Sequence, residues 1–110
     1  MDREQIEVFL REVKRLIESG DWRMVPRKKN LTGLADIGLS IQGAKKELLG
    51  LSYRHYDRGP LPDKDRDGDV WEFIKPVNKD RVYIKLKIDS RGCVCMSFHR
   101  SQGPTTLPFK

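Results

Sequence analysis

The sequence predicts an α+β fold in which amino-terminal helices pack on one face of an antiparallel β-sheet. Apolar residues recur at helical spacing within residues 1–50, and they alternate with polar residues within residues 70–99. Because the helices precede the strands, we expect an antiparallel meander covered by helices on one face. A length of 110 residues is typical of one domain, so we expect residues 1–110 to form a single domain with one core.

Composition limits the classes of protein to which the chain can belong. Charged residues make up 35% of the sequence, and no apolar run approaches the roughly 20 residues of a transmembrane helix, so we expect no membrane partner. Cys93 and Cys95 are poorly placed to bond to each other, and the first 20 residues lack an export signal. These features favour a cytoplasmic location.

The net charge is +6, which favours a polyanionic partner such as nucleic acid or an acidic protein. This charge is segregated along the chain. Residues 22–29 hold four basic and no acidic residues, and residues 75–100 hold seven basic against two acidic. Residues 59–72 hold five acidic against two basic, so we expect an acidic loop apart from a basic surface.

The first helix is predicted from a stripe of apolar residues at i, i+3, i+4 and i+7 spacing. Asp2 caps it, Gln5 completes a capping box, and Gly20 ends it. The stripe consists of Ile6, Phe9, Leu10, Val13, Leu16 and Ile17.

The segment after this helix is predicted to contain one short strand and two further helical pieces. Residues 22–25 form the strand, Pro26 breaks it, and Arg27, Lys28 and Lys29 form a basic loop. A single helical turn follows at residues 32–37, and Ser40 caps a longer helix that stops at Gly50. Residues 52–69 are rich in glycine and proline, which predicts a long loop.

Three strands are predicted in the carboxy-terminal half, at residues 70–74, 82–88 and 94–99, the last two joined by a hairpin at residues 89–92. Strand alternation places one set of side chains against the helices: Trp71, Phe73, Val82, Ile84, Val94, Met96 and Phe98. The other face, which we call the open face, then carries Glu72, Tyr83, Lys85, Lys87, Ser97 and His99. Residues 100–110 form a tail that we expect to cover a sheet edge.

The open face carries the groups that RNA cleavage through the 2′-hydroxyl requires: a base, an acid and cations that stabilise the phosphorane. His99 titrates near neutral pH, Glu72 is a second candidate for proton transfer, and Lys85 is the candidate for charge stabilisation. Arg58 borders this face. Arg27, Lys28, Lys29 and Lys87 are the candidate RNA-binding residues.

Other interpretations of the same residues remain open. A polar sheet face is normally only solvated, and Tyr83 is equally consistent with cross-strand packing or base stacking. The face also fits a non-catalytic module that binds RNA or a protein. We expect no metal and no cofactor, because position 12 of the calcium-like Asp63–Asp65–Asp67 run falls on Ile74 and the Cys93–Cys95 spacing matches no usual zinc pattern.

Short motifs spread along the chain resemble the MqsR family of type II toxins. They are Val13-Lys14-Arg15-Leu16-Ile17 with Gly20 and Arg23, Leu34-Ala35-Asp36-Ile37-Gly38-Leu39, Leu49-Gly50-Leu51-Ser52, Val70-Trp71, Val82-Tyr83-Ile84-Lys85 and Ser97-Phe98. The resemblance implies a RelE-like ribonuclease-toxin fold and a metal-independent endoribonuclease that cleaves mRNA. It also implies a cognate antitoxin encoded by an adjacent gene, and the ribosome is a further candidate partner.

The resemblance further implies four active-face positions, which here are Arg58, Glu72, Tyr83 and His99. Three of them depart from the residue usual in the family. Arg58 replaces Lys and offers a fork for phosphate, Glu72 replaces Gln and adds a negative charge, and His99 replaces Lys with a group that exchanges protons at neutral pH. The acidic loop at residues 63–69 is a further candidate surface for the antitoxin or the ribosome.

Overall fold

A computed structural model describes all 110 residues and shows three α-helices packed against a five-stranded, mostly antiparallel sheet. This confirms the α+β prediction. In chain order the elements are α1 (Arg3–Glu18), β1 (Trp22–Met24), α2 (Lys28–Ile37), α3 (Ile41–Leu49), a 3₁₀ turn (Tyr53–His55), β2 (Tyr56–Pro62), β3 (Asp69–Val77), β4 (Asp80–Asp89) and β5 (Gly92–Arg100). The longest helix has 16 residues, and none has the length and apolarity to cross a membrane.

The ends of α1 and α3 confirm the predicted capping signals. The Asp2 side chain accepts from the backbone N–H of Gln5, and the Gln5 side-chain oxygen accepts from the backbone N–H of Asp2. Gly20 takes a left-handed conformation after the helix. Ser40 accepts from the N–H of Gly43, and Gly50 follows α3. Five residues of α1 are buried at the predicted spacing: Ile6, Leu10, Val13, Leu16 and Ile17.

The predicted basic loop is wrong, because Lys28 and Lys29 form the first turn of α2. Sequence signals argue against a helix start here, since Arg27 makes no capping bond and positive charge is unfavourable at the positive end of the helix dipole. Tertiary contacts stabilise this turn instead. The buried Asn30 amide donates to the carbonyls of Val25 and Met96, and its oxygen accepts from the N–H of Phe98.

The predicted long loop at residues 52–69 is correct for residues 63–68 but wrong for residues 56–62, because Tyr56–Pro62 form β2. The sheet order is β1-β5-β4-β3-β2, so β2 is an edge strand where prolines are tolerated. Gly59 has a φ of +129°, and a Cβ there would lie 2.9 Å from the Trp71 Cα, so the glycine allows the two strands to approach. Irregular pairing on both sides of Arg58 completes this bulged edge.

The expected faces of β5 are only partly correct. Lys85 pairs with Ser97 and Leu86 pairs with Cys95, so Met96 is an extra residue that forms a β-bulge. The bulge reverses the side-chain alternation: Phe98 packs in the core as expected, but Cys93 and Cys95 take the core positions expected for Val94 and Met96. The predicted placement of Trp71, Phe73, Val82 and Ile84 against the helices is confirmed.

The tail at residues 101–110 runs from the end of β5 to β2, at the edge of the sheet. The N–H of Ser101 donates to the Arg81 carbonyl on β4, and Thr106 bonds to Asp57 on β2. Phe109 then packs edge-on against Tyr53 and Tyr56. The tail therefore reaches the β2 edge after passing the start of β4.

Candidate functional site

Four strands bring a row of polar side chains together across the open face. Arg58 on β2 is paired with Glu72 on β3, Glu72 with Lys85 on β4, and Lys85 with Ser97 on β5. Residues directly opposite each other in a sheet have side chains roughly 5 Å apart. The sheet thus gathers side chains that are distant in sequence into one continuous row.

The second row lies two residues further along the strands, where Tyr83 is paired with His99. Their ring centroids are 5.3 Å apart. The two rows contain Arg58, Glu72, Tyr83, Lys85 and His99, so the structure brings together all five side chains for which the sequence predicts a catalytic role.

Glu72 connects the two rows through both of its carboxylate oxygens. Oε1 accepts from Arg58 Nε at 2.9 Å and lies 2.8 Å from Arg58 Nη2, and Oε2 accepts from the Tyr83 hydroxyl at 2.5 Å. The Glu72 side chain is only 8% exposed, whereas the Arg58 side chain is 57% exposed. Glu72 therefore holds two neighbours in fixed orientations, and the solvent-facing part of the network is the arginine.

Tyr83 is held in its neutral form. Burial raises the pKa of Tyr83 far above its ordinary value, and the hydrogen bond and negative charge of Glu72 raise it further. The phenol therefore keeps its proton at neutral pH and points it at Glu72, which leaves the ring to contact a ligand.

His99 has one ring nitrogen engaged by the protein. Its Nδ1 lies 2.9 Å from the Arg100 carbonyl, which can only accept, so Nδ1 carries the proton and the neutral ring has an unprotonated Nε2. Burial is the main cause that lowers the pKa of His99 below its ordinary 6.5, and the positive charges of Lys29, Arg27 and Lys85 act in the same direction. The imidazole is thus a neutral base at physiological pH.

Helix α2 packs unusually closely against β5 beside His99. A Cβ at Gly33 would lie 2.7 Å from the His99 Cβ and 2.8 Å from the Phe98 carbonyl oxygen, so only glycine fits. This approach forms a polar cleft of about 570 Å³ between the helix and the strand end, which Lys28 and Lys29 line together with His99. Two of the predicted RNA-binding residues therefore lie next to the imidazole.

Arg27 is fixed on the same side of the sheet. One guanidinium nitrogen donates to the Met96 carbonyl at 2.7 Å and to the Ser97 hydroxyl at 2.8 Å, while the residue remains exposed. Because Ser97 continues the row of Arg58, Glu72 and Lys85, Arg27 adds a cation at the β5 end of that row. Lys85 differs from both arginines in having no protein partner within hydrogen-bonding or ion-pairing distance.

The expectation that Lys87 is displayed on the open face is wrong. Its side chain is 1% exposed, and its ammonium group donates to the Asp63 carboxylate at 2.7 Å and to the Asp67 carbonyl at 2.6 Å. The acidic loop folds back over β4 and encloses this lysine. Lys87 is therefore a buried partner of the loop and is not available to RNA in this structure.

Sequence reasoning missed Asn30, Gly33 and Asp57. Asn30 satisfies the backbone of β5 beyond the point where β1 ends, Gly33 allows the close contact of α2, and Asp57 anchors the tail beside Arg58. A glycine inside a helical pattern is the one available signal, because it often marks a close approach of another backbone. The other two depend on contacts between residues at least 49 positions apart.

The titratable side chains outside this face serve other purposes. No three His, Cys, Asp or Glu side chains converge on one point where they could share a metal ion. Cys93 and Cys95 are unpaired and buried, and burial raises the pKa of Cys93 to about 12. His55 lies in the 3₁₀ turn, where its Nδ1 accepts from the N–H of Ser52.

Comparison with known proteins adds an independent line of evidence. The family model of the motility quorum-sensing regulator, described as the toxin of MqsA, matches residues 7–100. The chain belongs to the MqsR toxin family. The resemblance seen in the sequence is thereby confirmed, and this MqsR-family chain is a toxin of a toxin–antitoxin pair with an antitoxin partner. No curated protein matches it closely enough to serve as a relative.

The boundaries of the match also bear on the site. Every residue of the two rows lies within it, and so do α2 and its polar cleft except Gln102. The tail at residues 101–110 lies beyond it, although it contacts the strand that carries Arg58.

Proposed function

We propose that this MqsR-family toxin is an endoribonuclease that cleaves mRNA by attack of a 2′-hydroxyl on the adjacent phosphate. The observation that carries the proposal is the neutral His99 imidazole, with a free Nε2, placed on one sheet face with the cations Arg27, Arg58 and Lys85. Cleavage of this kind requires a proton acceptor next to positive charge. Family membership supports the toxin role, and the site chemistry supports RNA as its target.

In the proposed reaction, His99 Nε2 takes the proton of the 2′-hydroxyl. The 2′-oxygen then attacks the phosphorus atom, the bond from phosphorus to the 5′-oxygen breaks, and a 2′,3′-cyclic phosphate forms. The departing 5′-oxygen requires a proton, and Lys85 is the candidate donor because its ammonium group has no protein partner. Solvent then takes the proton from His99 and supplies a proton to Lys85, which restores both groups.

Arg58 and Arg27 are proposed to hold the phosphate groups. Each guanidinium is fixed by the protein at some of its nitrogens, Arg58 by Glu72 and Arg27 by Met96 and Ser97, and both residues remain exposed. An anchored arginine loses less side-chain freedom when it binds the developing charge of the phosphorane. Lys28 and Lys29 extend the positive surface along the cleft beside His99.

Glu72 is proposed to be a positioning residue and not the proton acceptor. Both of its oxygens are occupied and its side chain is buried, so a 2′-hydroxyl has no direct path to it. A glutamine, the residue usual at this position in the family, accepts through only one oxygen, whereas the carboxylate accepts from Arg58 and Tyr83 simultaneously. The Tyr83 ring then offers a flat surface for base stacking.

The test compares two histidine variants in an RNA-cleavage assay that contains a metal chelator. His99→Gln removes the proton acceptor, and we expect cleavage to fall by at least about a hundredfold, since general base catalysis contributes roughly 10²–10⁴ in rate. His55→Gln is the matched control, because burial lowers the pKa of His55 as well but this residue lies in the 3₁₀ turn. We expect the control to cleave at the wild-type rate and to yield ends with a 2′,3′-cyclic phosphate.

The pH dependence gives a second test of the same assignment. A base acts when it is deprotonated, so activity must fall as the pH drops through the pKa of His99. Because that pKa is lowered, the acidic limb should have its midpoint below 6.5. Undiminished cleavage by His99→Gln would refute the assignment, and cleavage that the chelator abolishes would refute the metal-free route. Salt-dependent RNA binding without products would favour the non-catalytic module instead.

A further inference from the structure

The residue next to Arg58 in β2 is Asp57, a carboxylate with a side chain that is only 5% exposed. We propose that the tail at residues 101–110 keeps Arg58 on Glu72 by occupying the neighbouring Asp57 carboxylate, so that the tail is part of the active site. This inference rests on the proposed function, because it assigns a role to a residue that supports the phosphate-binding Arg58. Asp57 does not itself contact RNA in this proposal.

The tail reaches Asp57 by passing over the first residues of β4. Arg81 fixes its course at two points: its carbonyl accepts from the N–H of Ser101 at 2.7 Å, and its guanidinium donates to the Thr105 hydroxyl at 2.9 Å. Arg81 and Tyr83 are two residues apart on one strand, so their side chains share the open face. The tail thus lies beside the rows that carry the candidate site.

The Asp57 carboxylate is shared unequally between the tail and Arg58. Its Oδ1 accepts from the N–H of Thr106 at 2.6 Å and from the N–H of Leu107 at 3.0 Å. The Thr106 hydroxyl lies 2.5 Å from the Asp57 backbone carbonyl and 3.0 Å from Oδ1, so its one proton is directed mainly at the carbonyl. The Asp57 Oδ2 lies 3.8 Å from Arg58 Nε, which is beyond hydrogen-bonding distance. Arg58 Nε instead donates to Glu72 at 2.9 Å.

Two buried carboxylates therefore flank one arginine, and the tail determines which of them receives its hydrogen bonds. A buried carboxylate requires donors, and the tail supplies two backbone N–H groups to Asp57. Without these donors, the closest cation for Asp57 is Arg58. We infer that removing the tail draws the guanidinium from Glu72 towards Asp57 and away from the position where it meets phosphate.

The experiment compares the full chain with a chain that ends after Ser101, each with and without the substitution Asp57→Asn. In the full chain, Asp57→Asn keeps an oxygen that accepts from the tail, so we expect kcat within about threefold of wild type. In the shortened chain, Arg58 is misplaced, and we expect kcat to fall on the order of tenfold with little change in KM. Asp57→Asn in the shortened chain removes the competing charge and should restore most of that loss.

This rescue separates positioning from ordinary stabilisation. The kcat values are compared at a temperature where every variant is fully folded, so a tail that only stabilised the fold would leave kcat unchanged in the shortened chain, with or without Asp57→Asn. Phe109→Ala is the control for lost packing, because it removes the contacts with Tyr53 and Tyr56 but keeps the bonds to Asp57. Thr106→Val keeps the chain length and removes only the hydroxyl bonds, so it should have a smaller effect in the same direction.

A readout that does not need cleavage follows the Arg58 side chain directly. The Nε–H resonance of Arg58, assigned by its loss in Arg58→Lys, should move when the chain is shortened and return when Asp57→Asn is added. An unmoved resonance, or no rescue in a chain that cleaves RNA, would overturn the role of Asp57 and the tail. If the resonance moves and returns as expected but the full wild-type chain produces no RNA fragments, the proposed function is overturned instead.

Discussion

The contact between α2 and β5 can be tested at a single position, because Gly33 is the point where the helix touches the strand. In Gly33→Ala, the new Cβ would lie 2.7 Å from the His99 Cβ and 2.8 Å from the Phe98 carbonyl oxygen. Neither atom is the free end of a flexible side chain. The helix or the strand must therefore move by several tenths of an ångström, and that movement occurs beside the proposed base.

The expected loss of stability follows from two opposing effects. Alanine favours a helix interior over glycine by about 1 kcal/mol, whereas overpacking a tight contact costs roughly 1–3 kcal/mol. Since the obstructing atoms include backbone, the cost should lie in the upper half of that range, which leaves a net loss of about 1–2 kcal/mol. For a chain of 110 residues this corresponds to a fall of roughly 4–9 °C in Tm.

Gly43→Ala in α3 is the matched control for the effect of helix propensity. There, the closest atom to the new Cβ is the Leu39 Cδ2 at 3.1 Å, which is the end of a side chain that can rotate away. We expect this variant to be as stable as the wild type or slightly more stable in urea unfolding. A Gly33→Ala variant that also matched or exceeded the wild type would refute the argument that glycine is required for the close contact.

Three further predictions concern buried groups. The Lys87 hydrogen bond lowers the pKa of Asp63 to about 2, so this carboxylate should stabilise the fold above about pH 4 and lose its effect as the pH falls towards 2. In urea unfolding, the difference in free energy of unfolding between wild type and Asp63→Asn should therefore shrink over that pH interval. Asn30→Ala removes the partner of the buried Phe98 N–H and should lower the free energy of unfolding by about 1–3 kcal/mol in the same assay. Because burial raises their thiol pKa values, Cys93 and Cys95 should react with a thiol reagent only slowly in the folded chain and rapidly in urea, and fast reaction without denaturant would contradict their burial.

Local signals in the sequence predict the helices and strands well where one residue determines the local conformation. Asp2, Ser40 and Gly20 mark helix ends through bonds or backbone angles that involve close neighbours in sequence, and those ends are confirmed. The predicted start of α2 is wrong because its stabilising bonds come from Asn30 to residues as far away as Phe98. Such contacts leave no trace in a window of a few residues.

The prediction of the open face depends on alternation, which holds only while each strand is regular. On β3 and β4, alternation correctly groups Glu72, Tyr83 and Lys85. On β5, the bulge at Met96 reverses the faces. Phe98 and His99 follow the bulge and lie on the predicted faces, whereas Cys93 and Cys95, which precede it, lie on the face opposite to the predicted one. No residue in the Met96 segment signals a bulge, since Cys93–Phe98 alternates without a glycine.

The burial of Lys87 changes how the net charge of the face should be understood. Seven basic residues between positions 75 and 100 predict a broad positive surface, but Lys87 is neutralised by Asp63 beneath the acidic loop. Three cations of the site that remain accessible, Arg27, Lys85 and Arg58, follow the row across β5, β4, β3 and β2. Three interstrand spacings make this row roughly 14 Å long. An RNA backbone bound along it would run across the strands and past His99, whereas a path along β4 would meet the acidic loop.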